Sequence, residues 1–122
     1  MNQYKILIVD DEQNVCEFLG EFLQDKGYLV IKARSGSKAL RYLEKNNPDL
    51  VLLDILMPGM SGLEVLKRIR KLYPDLPVII LTGVKDKRVV DDIINVGPVD
   101  FIPKPIDLDV LEKCISSNLT KK

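Results

Sequence analysis

The chain has 122 residues, 46% of them hydrophobic and 30% charged, which is the size and balance of one globular domain and excludes a disordered or fibrous chain. Eighteen basic residues stand against eighteen acidic ones, so no overall field draws the chain to nucleic acid or to an anionic membrane, and only a local basic patch is compatible with the count. There is no histidine, which removes Ser-His-Asp catalysis, His-ligated zinc and phosphohistidine donation by this chain.

The first solidly apolar run, Ile6-Leu7-Ile8-Val9, leads straight into Asp10, Asp11 and Glu12. It is too short for a signal-peptide core, and no stretch approaches the ~18–20 apolar residues of a bilayer span, so a cytoplasmic location is expected. Val15, Phe18, Leu19, Phe22 and Leu23 then recur at helical spacing, with Gly27 where the helix should stop. Residues 28–33 make a weaker strand. Ala39, Leu40 and Leu43 mark a second helix ahead of Pro48, and Leu50-Val51-Leu52-Leu53 a strand that ends at Asp54. Val65, Leu66, Ile69, Leu72 and Tyr73 predict a third helix whose exit is bracketed by Pro74 and Pro77. A strand over residues 76–82 closes at Thr82. Val90, Ile93 and Ile94 mark a fourth helix closed by Gly97-Pro98, residues 99–102 a weak last strand, and Leu108, Leu111, Ile115 and Leu119 a fifth helix.

Continuous rather than alternating hydrophobicity marks strands covered on both faces, as in a parallel sheet. Five strands alternating with five helices predict one doubly wound, flavodoxin-like α/β domain over residues 1–122. Pro103 removes a ladder hydrogen bond and fits only an edge strand, which the order 2-1-3-4-5 provides. Cys16 and Cys114 form no CxxC motif and read as reduced, partly buried thiols.

In open α/β sheets, ligands bind beyond the carboxyl ends of the strands, where the strand order reverses. Those ends carry Asp10, Asp11 and Glu12, then Asp54, Thr82 and Lys104. Taken singly, such an aspartate is a helix cap or turn former as readily as a functional group. Three carboxylates converging on one crevice, however, repel one another unless a cation or protons neutralise them. Oxygen donors without histidine or thiolate suit a hard cation such as Mg²⁺. Asp54 could then accept a phosphoryl group as an acyl phosphate, with Lys104 and Thr82 meeting its peripheral oxygens.

Ile8-Val9-Asp10-Asp11-Glu12, Leu52-Leu53-Asp54-Ile55-Leu56-Met57-Pro58-Gly59-Met60-Ser61-Gly62, Leu81-Thr82-Gly83 and Asp100-Phe101-Ile102-Pro103-Lys104-Pro105 together resemble the receiver domain of two-component response regulators, similar to chemotaxis and sporulation-phosphorelay regulators. The resemblance covers essentially the whole chain. It implies that Asp54 is phosphorylated and that Asp11 and Asp54 bind Mg²⁺ directly, with Asp10 acting through water and the Leu56 carbonyl completing the protein ligands. It further implies that Thr82 hydrogen-bonds the phosphoryl group, that Lys104 pairs with it, that Phe101 is the aromatic switch residue, and that the Lys104-Pro105 bond is cis. The implied partners are a histidine kinase or phosphotransfer protein and a downstream output, with a phosphorylation-dependent homodimer open and no direct nucleic-acid or membrane binding. Docking is expected on the first helix near Val15, Phe18 and Leu19, unless these are core, with Asn14 beside them. Leu56 and Val84 are apolar at rim positions where the family often carries polar groups, Pro98 stands in place of a small residue, and Phe101 lacks the usual tyrosine hydroxyl.

A flavin module would need an anion cradle where Asp10-Asp11-Glu12 offers repulsion. A haloacid-dehalogenase-type phosphatase would need a second acid where Leu56 stands. No GxxxxGK[ST] or GxGxxG occurs, and a purely structural receiver would lack one of the acids, the threonine or the lysine. The expected role is a phosphorylation-controlled switch and not a turnover enzyme, its only chemistry being its own phosphorylation and dephosphorylation.

Overall fold

The computed structural model describes residues 3–83 and 87–120. Five strands, β1 (Lys5–Val9), β2 (Leu29–Ala33), β3 (Leu50–Asp54), β4 (Val78–Thr82) and β5 (Asp100–Pro103), alternate with five helices, α1 (Gln13–Asp25), α2 (Gly36–Lys45), α3 (Gly62–Leu72), α4 (Lys87–Val96) and α5 (Leu108–Thr120). All pairs are parallel and the order is β2-β1-β3-β4-β5. The two weak runs are the edges, and Pro103 sits at the end of edge strand β5, opposite Thr82.

Because side chains alternate across a strand, the three apolar runs split evenly between two layers. Ile6, Ile8, Leu50, Leu52, Ile79 and Leu81 pack with Cys16, Leu19 and Leu23 of α1 and Leu111, Ile115 and Leu119 of α5. Leu7, Val9, Val51, Leu53, Val78 and Ile80 pack with Ala39 and Leu43 of α2, Val65, Leu66 and Ile69 of α3, and Ile93 of α4. Both faces of β1, β3 and β4 are thereby dry, which is why these strands read as unbroken apolar runs.

The helices are narrower than their apolar periodicity suggested. Phe18, Leu72 and Ile94 stand 53%, 56% and 54% exposed, because a helix on a sheet buries a stripe of only about 100°; α1 spends that stripe on Cys16, Leu19, Gly20 and Leu23. Leu19 is therefore core and Val15 half-buried, and of the expected docking positions Phe18 and Asn14 face solvent. Gly27 ends α1 at φ +93°, a conformation only glycine adopts without cost. Among the described residues no helix is long and apolar enough to cross a membrane. Neither cysteine is in a disulfide; Cys16 is buried and Cys114 half-buried.

Candidate functional site

Strand order reverses between β1 and β3, and the crevice there is acidic. Asp10 follows β1 and is fully buried. Its amide donates to Ala33 across the β1–β2 pair (3.1 Å), and its Oδ1 accepts the Glu12 amide (3.0 Å), a turn that starts α1. The Cys16 thiol donates to the Asp10 carbonyl (3.3 Å), which tethers the turn to the first turn of the helix. Asp11 is half-buried, and its carbonyl accepts from the Arg34 guanidinium (3.3 Å).

Asp54 is the last residue of β3 and 4% exposed. Its Oδ1 accepts the Leu56 amide at 3.3 Å. The loop that follows can fold back because the Gly62 amide donates to the Ile55 carbonyl (3.1 Å), so that α3 starts directly against the strand end. A Cβ at Gly62 would lie 2.4 Å from the Asp54 carbonyl oxygen and 2.5 Å from the Ile55 Cα. The glycine is thus required by close approach. Thr82 ends β4, nearly buried, and its carbonyl accepts the Lys104 amide (2.9 Å). The Lys104-Pro105 bond is cis, and the Lys104 ammonium lies 3.1 Å from Asp10 Oδ2 and 3.5 Å from Asp54 Oδ1.

Asp10, Asp11 and Asp54 each present a carboxylate oxygen, all within 4.8 Å of one another. Burial, then the charges of Asp10 and more weakly Asp11, push the Asp54 carboxyl up to about 6 against the opposing pull of Lys104 and the Leu56 amide. Burial alone would lower the Lys104 pKa, yet its hydrogen bonds and charge pairing with Asp10 and Asp54 hold it above the ordinary value. Three clustered carboxylates, two of them paired with Lys104, leave an excess of negative charge carried by hard oxygen donors. That donor set fits a small divalent cation such as Mg²⁺.

Sequence reasoning named the groups that converge here, Asp10, Asp11, Asp54 and Lys104, with Thr82 on the adjoining strand end. Phe101 lies on β5, half-buried against the layer of α2, α3 and α4. Leu56 is 63% exposed at the rim, and Val84 lies outside the described residues. The supporting contacts from Cys16, Arg34 and Gly62 were missed. Gly62 was visible within a quoted motif, but the approach of α3 to β3 that requires it depends on tertiary structure. The Cys16 position on the buried stripe of α1 was the one signal for that thiol.

A family model described as response regulator receiver domain matches residues 6–116. Sporulation initiation phosphotransferase F of Bacillus subtilis is 36% identical over 122 residues, spanning 100% of this chain and 98% of that protein. A cyclic di-GMP phosphodiesterase of Thermotoga maritima is 36% identical over 96% of this chain, and a CAI-1 autoinducer sensor kinase/phosphatase of Vibrio cholerae 40% identical over 90%. The chain spans only 31% and 16% of the length of those two proteins. Among solved structures, the Vibrio cholerae chemotaxis protein CheY4 superposes with a TM-score of 0.90 at 30% identity, covering 97% of this chain and 100% of that one. A CheY-like receiver domain protein of Methanospirillum hungatei gives 0.92 at 32% identity, with 98% and 96% covered.

Proposed function

The chain belongs to the response regulator receiver family of two-component phosphoacceptor signalling, and from that premise we propose that residues 1–122 form one receiver switch whose phosphoacceptor is Asp54. The observation that carries this reading is the convergence of Asp10, Asp11 and Asp54 at one crevice, with the Lys104 ammonium against Asp10 and Asp54. The Leu56 amide and the Lys104 ammonium both meet Asp54 at Oδ1, and Oδ2 is the oxygen we assign to attack on phosphorus. The Oδ2–P bond forms as the donor's P–N bond breaks, and the leaving histidine nitrogen keeps the electron pair and takes up a proton. At neutral pH a carboxyl poised at about 6 is ionised yet more basic than an exposed aspartate, which suits a nucleophile.

Asp11 and Asp54, the Leu56 carbonyl, and Asp10 through water would hold Mg²⁺, which when bound neutralises charge on the transferring phosphoryl oxygens. The Lys104 ammonium, released from Asp10, pairs with one phosphoryl oxygen, and the Thr82 hydroxyl bonds another. Inward movement of Thr82 vacates space that half-buried Phe101 can fill, which carries the change to the surface of α4, β5 and α5. This is a bias between two states a few kcal/mol apart. With no histidine of its own, the chain takes its phosphoryl group from a histidine kinase or phosphotransfer protein. Exposed Phe18 and Asn14 on α1, beside the crevice, are the docking positions we assign. The output is a downstream protein or domain, and a phosphorylated homodimer is one form it can take. Its own phosphorylation and dephosphorylation are the only reactions it catalyses, in a cytoplasmic setting.

Acetyl phosphate with Mg²⁺, followed by mass mapping, tests the acceptor: one adduct at Asp54 is expected, lost in Asp54→Asn and in EDTA. Equal labelling of Asp54→Asn overturns the assignment. For the switch, beryllofluoride should shift NMR resonances across residues 87–119 in the wild type and markedly less in Thr82→Ala. Undiminished shifts in the variant would route the signal elsewhere.

A further inference from the structure

Zero net charge conceals a segregation of charge between the two faces of the sheet. On one side α1 has no basic residue in its thirteen, while Glu17, Glu21 and Asp25 stand exposed at four-residue spacing. Four-residue spacing keeps side chains on one helix face, so the three carboxylates form a stripe. Asp109 of α5, in the same layer, extends it, while Glu112 is taken up by Lys26 at 3.3 Å and Lys113 opposes the stripe. On the other side Lys38, Arg41 and Lys45 of α2 and Lys67, Arg68 and Lys71 of α3 are all exposed, at three- and four-residue spacings on the outward faces of two adjacent helices. Glu44 and Glu64 are the acids among them, and Glu64 is already taken up by Arg68 at 3.7 Å.

We propose that the basic α2–α3 face is a docking surface for the acidic α1 stripe of a second copy of this chain. Two observations select this occupant. The complementary stripe exists on the molecule itself, with matching helical spacing. The interspersed Glu44 and Glu64, with exposed Leu72 at the edge, suit a helical protein surface better than the uniform charge of a phosphate backbone. Because the two stripes lie on opposite faces of the sheet, the contact is head-to-tail and open-ended. Exposed ion pairs contribute little each, so the association is weak and acts at high local concentration and low salt. It would also cover Phe18, and a competition with the phosphodonor follows if docking on α1 is correct; the association itself does not depend on that reading.

Sedimentation velocity across protein concentration tests it directly. The weight-average sedimentation coefficient should climb with concentration at ~20 mM salt, and the association constant should fall about tenfold or more at ~300 mM, where the Debye length has shrunk from about 20 Å to about 6 Å. Glu17→Lys with Glu21→Lys should abolish self-association, as should Lys67→Glu with Lys71→Glu. An equimolar mixture of the two double variants should restore it, since each then offers the face the other needs. Concentration-independent sedimentation at low salt overturns the proposal, as does association that survives salt or either double reversal. Monomeric behaviour combined with loss of Lys67/Lys71-dependent binding to phosphatidylglycerol vesicles or RNA in the charge-reversal variant would overturn it in favour of a polyanion.

Discussion

At the amino end of the sheet, hydrogen bonds between side chains and backbone close the structure. Arg70 reaches Leu76 at 2.6 Å and Pro98 at 2.9 Å, the Tyr73 hydroxyl reaches Leu43 at 2.6 Å, and the Lys5 amide and Asp49 carboxylate meet at 2.8 Å. At the carboxyl end the same sheet gathers three carboxylates, two of them against Lys104, and leaves Asp54 with a perturbed pKa. One end has fixed partners for most of its polar groups, the buried Arg70 Nε being an exception among the described residues. The other holds charge that only a cation or proton can neutralise, so its stability depends on what is bound. Substitutions at the carboxyl end should therefore respond to Mg²⁺ and pH, and those at the amino end should not.

The largest effect should come from Gly62→Ala, which forces a methyl group into backbone atoms 2.4–2.5 Å away that cannot rotate aside. Displacing α3 from the end of β3 should cost about 3 kcal/mol, at the upper end of overpacking penalties, and slow phosphorylation of Asp54 as well. Thermal unfolding and acetyl phosphate labelling measure the two effects. A stable, fully active Gly62→Ala protein would remove the close-approach argument.

Next, Lys104→Met takes away the one ammonium that Asp10 and Asp54 share. Leaving buried carboxylates unpaired should cost about 3 kcal/mol at neutral pH in EDTA. The loss should shrink in excess Mg²⁺, because a divalent cation replaces the missing positive charge. A thermal shift by Mg²⁺ no larger than in the wild type would break the idea that the cluster needs positive charge in general.

What the sequence disclosed follows the same division. The carboxyl end was legible because strand ends are marked by the switch from apolar run to polar residue, as at Asp10, Asp54 and Thr82. Order reversal then brings those ends together. The amino end was opaque: nothing in the periodicity of α3 tells that Arg70 turns back to two carbonyls, since its partners are set by loops at Leu76 and Pro98 that only packing places. Phe18 misled for a related reason. Apolar residues at helical spacing on α1 span more than the stripe that one sheet can cover, and composition alone does not say which member is left out.

For Asp54→Asn the direction is opposite to the usual salt-bridged carboxylate. The folded-state pKa of about 6 lies above the ordinary aspartate value of 3.8, so the folded state binds the proton more tightly than the unfolded state does. The stability this contributes is full below about pH 4 and is lost as pH rises through about 6. Without divalent cations the wild type should be about 2–3 kcal/mol less stable at pH 7.5 than this carboxyl would leave it at pH 4. Asp54→Asn, neutral throughout, should raise the melting temperature at pH 7.5 and have little effect at pH 4. Equal effects at both pH values would place the stabilisation outside Asp54 ionisation.

Tyr73→Phe is the smallest change and the sharpest control for the amino end. The hydroxyl donates to the carbonyl of Leu43 at the end of α2, a helix terminus whose carbonyls have no partner within the helix, and it ties the ends of α2 and α3 together. The ring stays in place when the hydroxyl is removed, so the loss is one neutral hydrogen bond, about 1 kcal/mol or a few degrees in melting temperature. No carboxylate or ammonium is altered, and the site is at the opposite end of the sheet. The loss should thus be the same in EDTA and in excess Mg²⁺ and at pH 5 and 7.5, with the rate of Asp54 labelling unchanged. If the cost instead varied with Mg²⁺, the two ends would be coupled through α2 and α3, and the separation between a fixed end and a responsive end would fail.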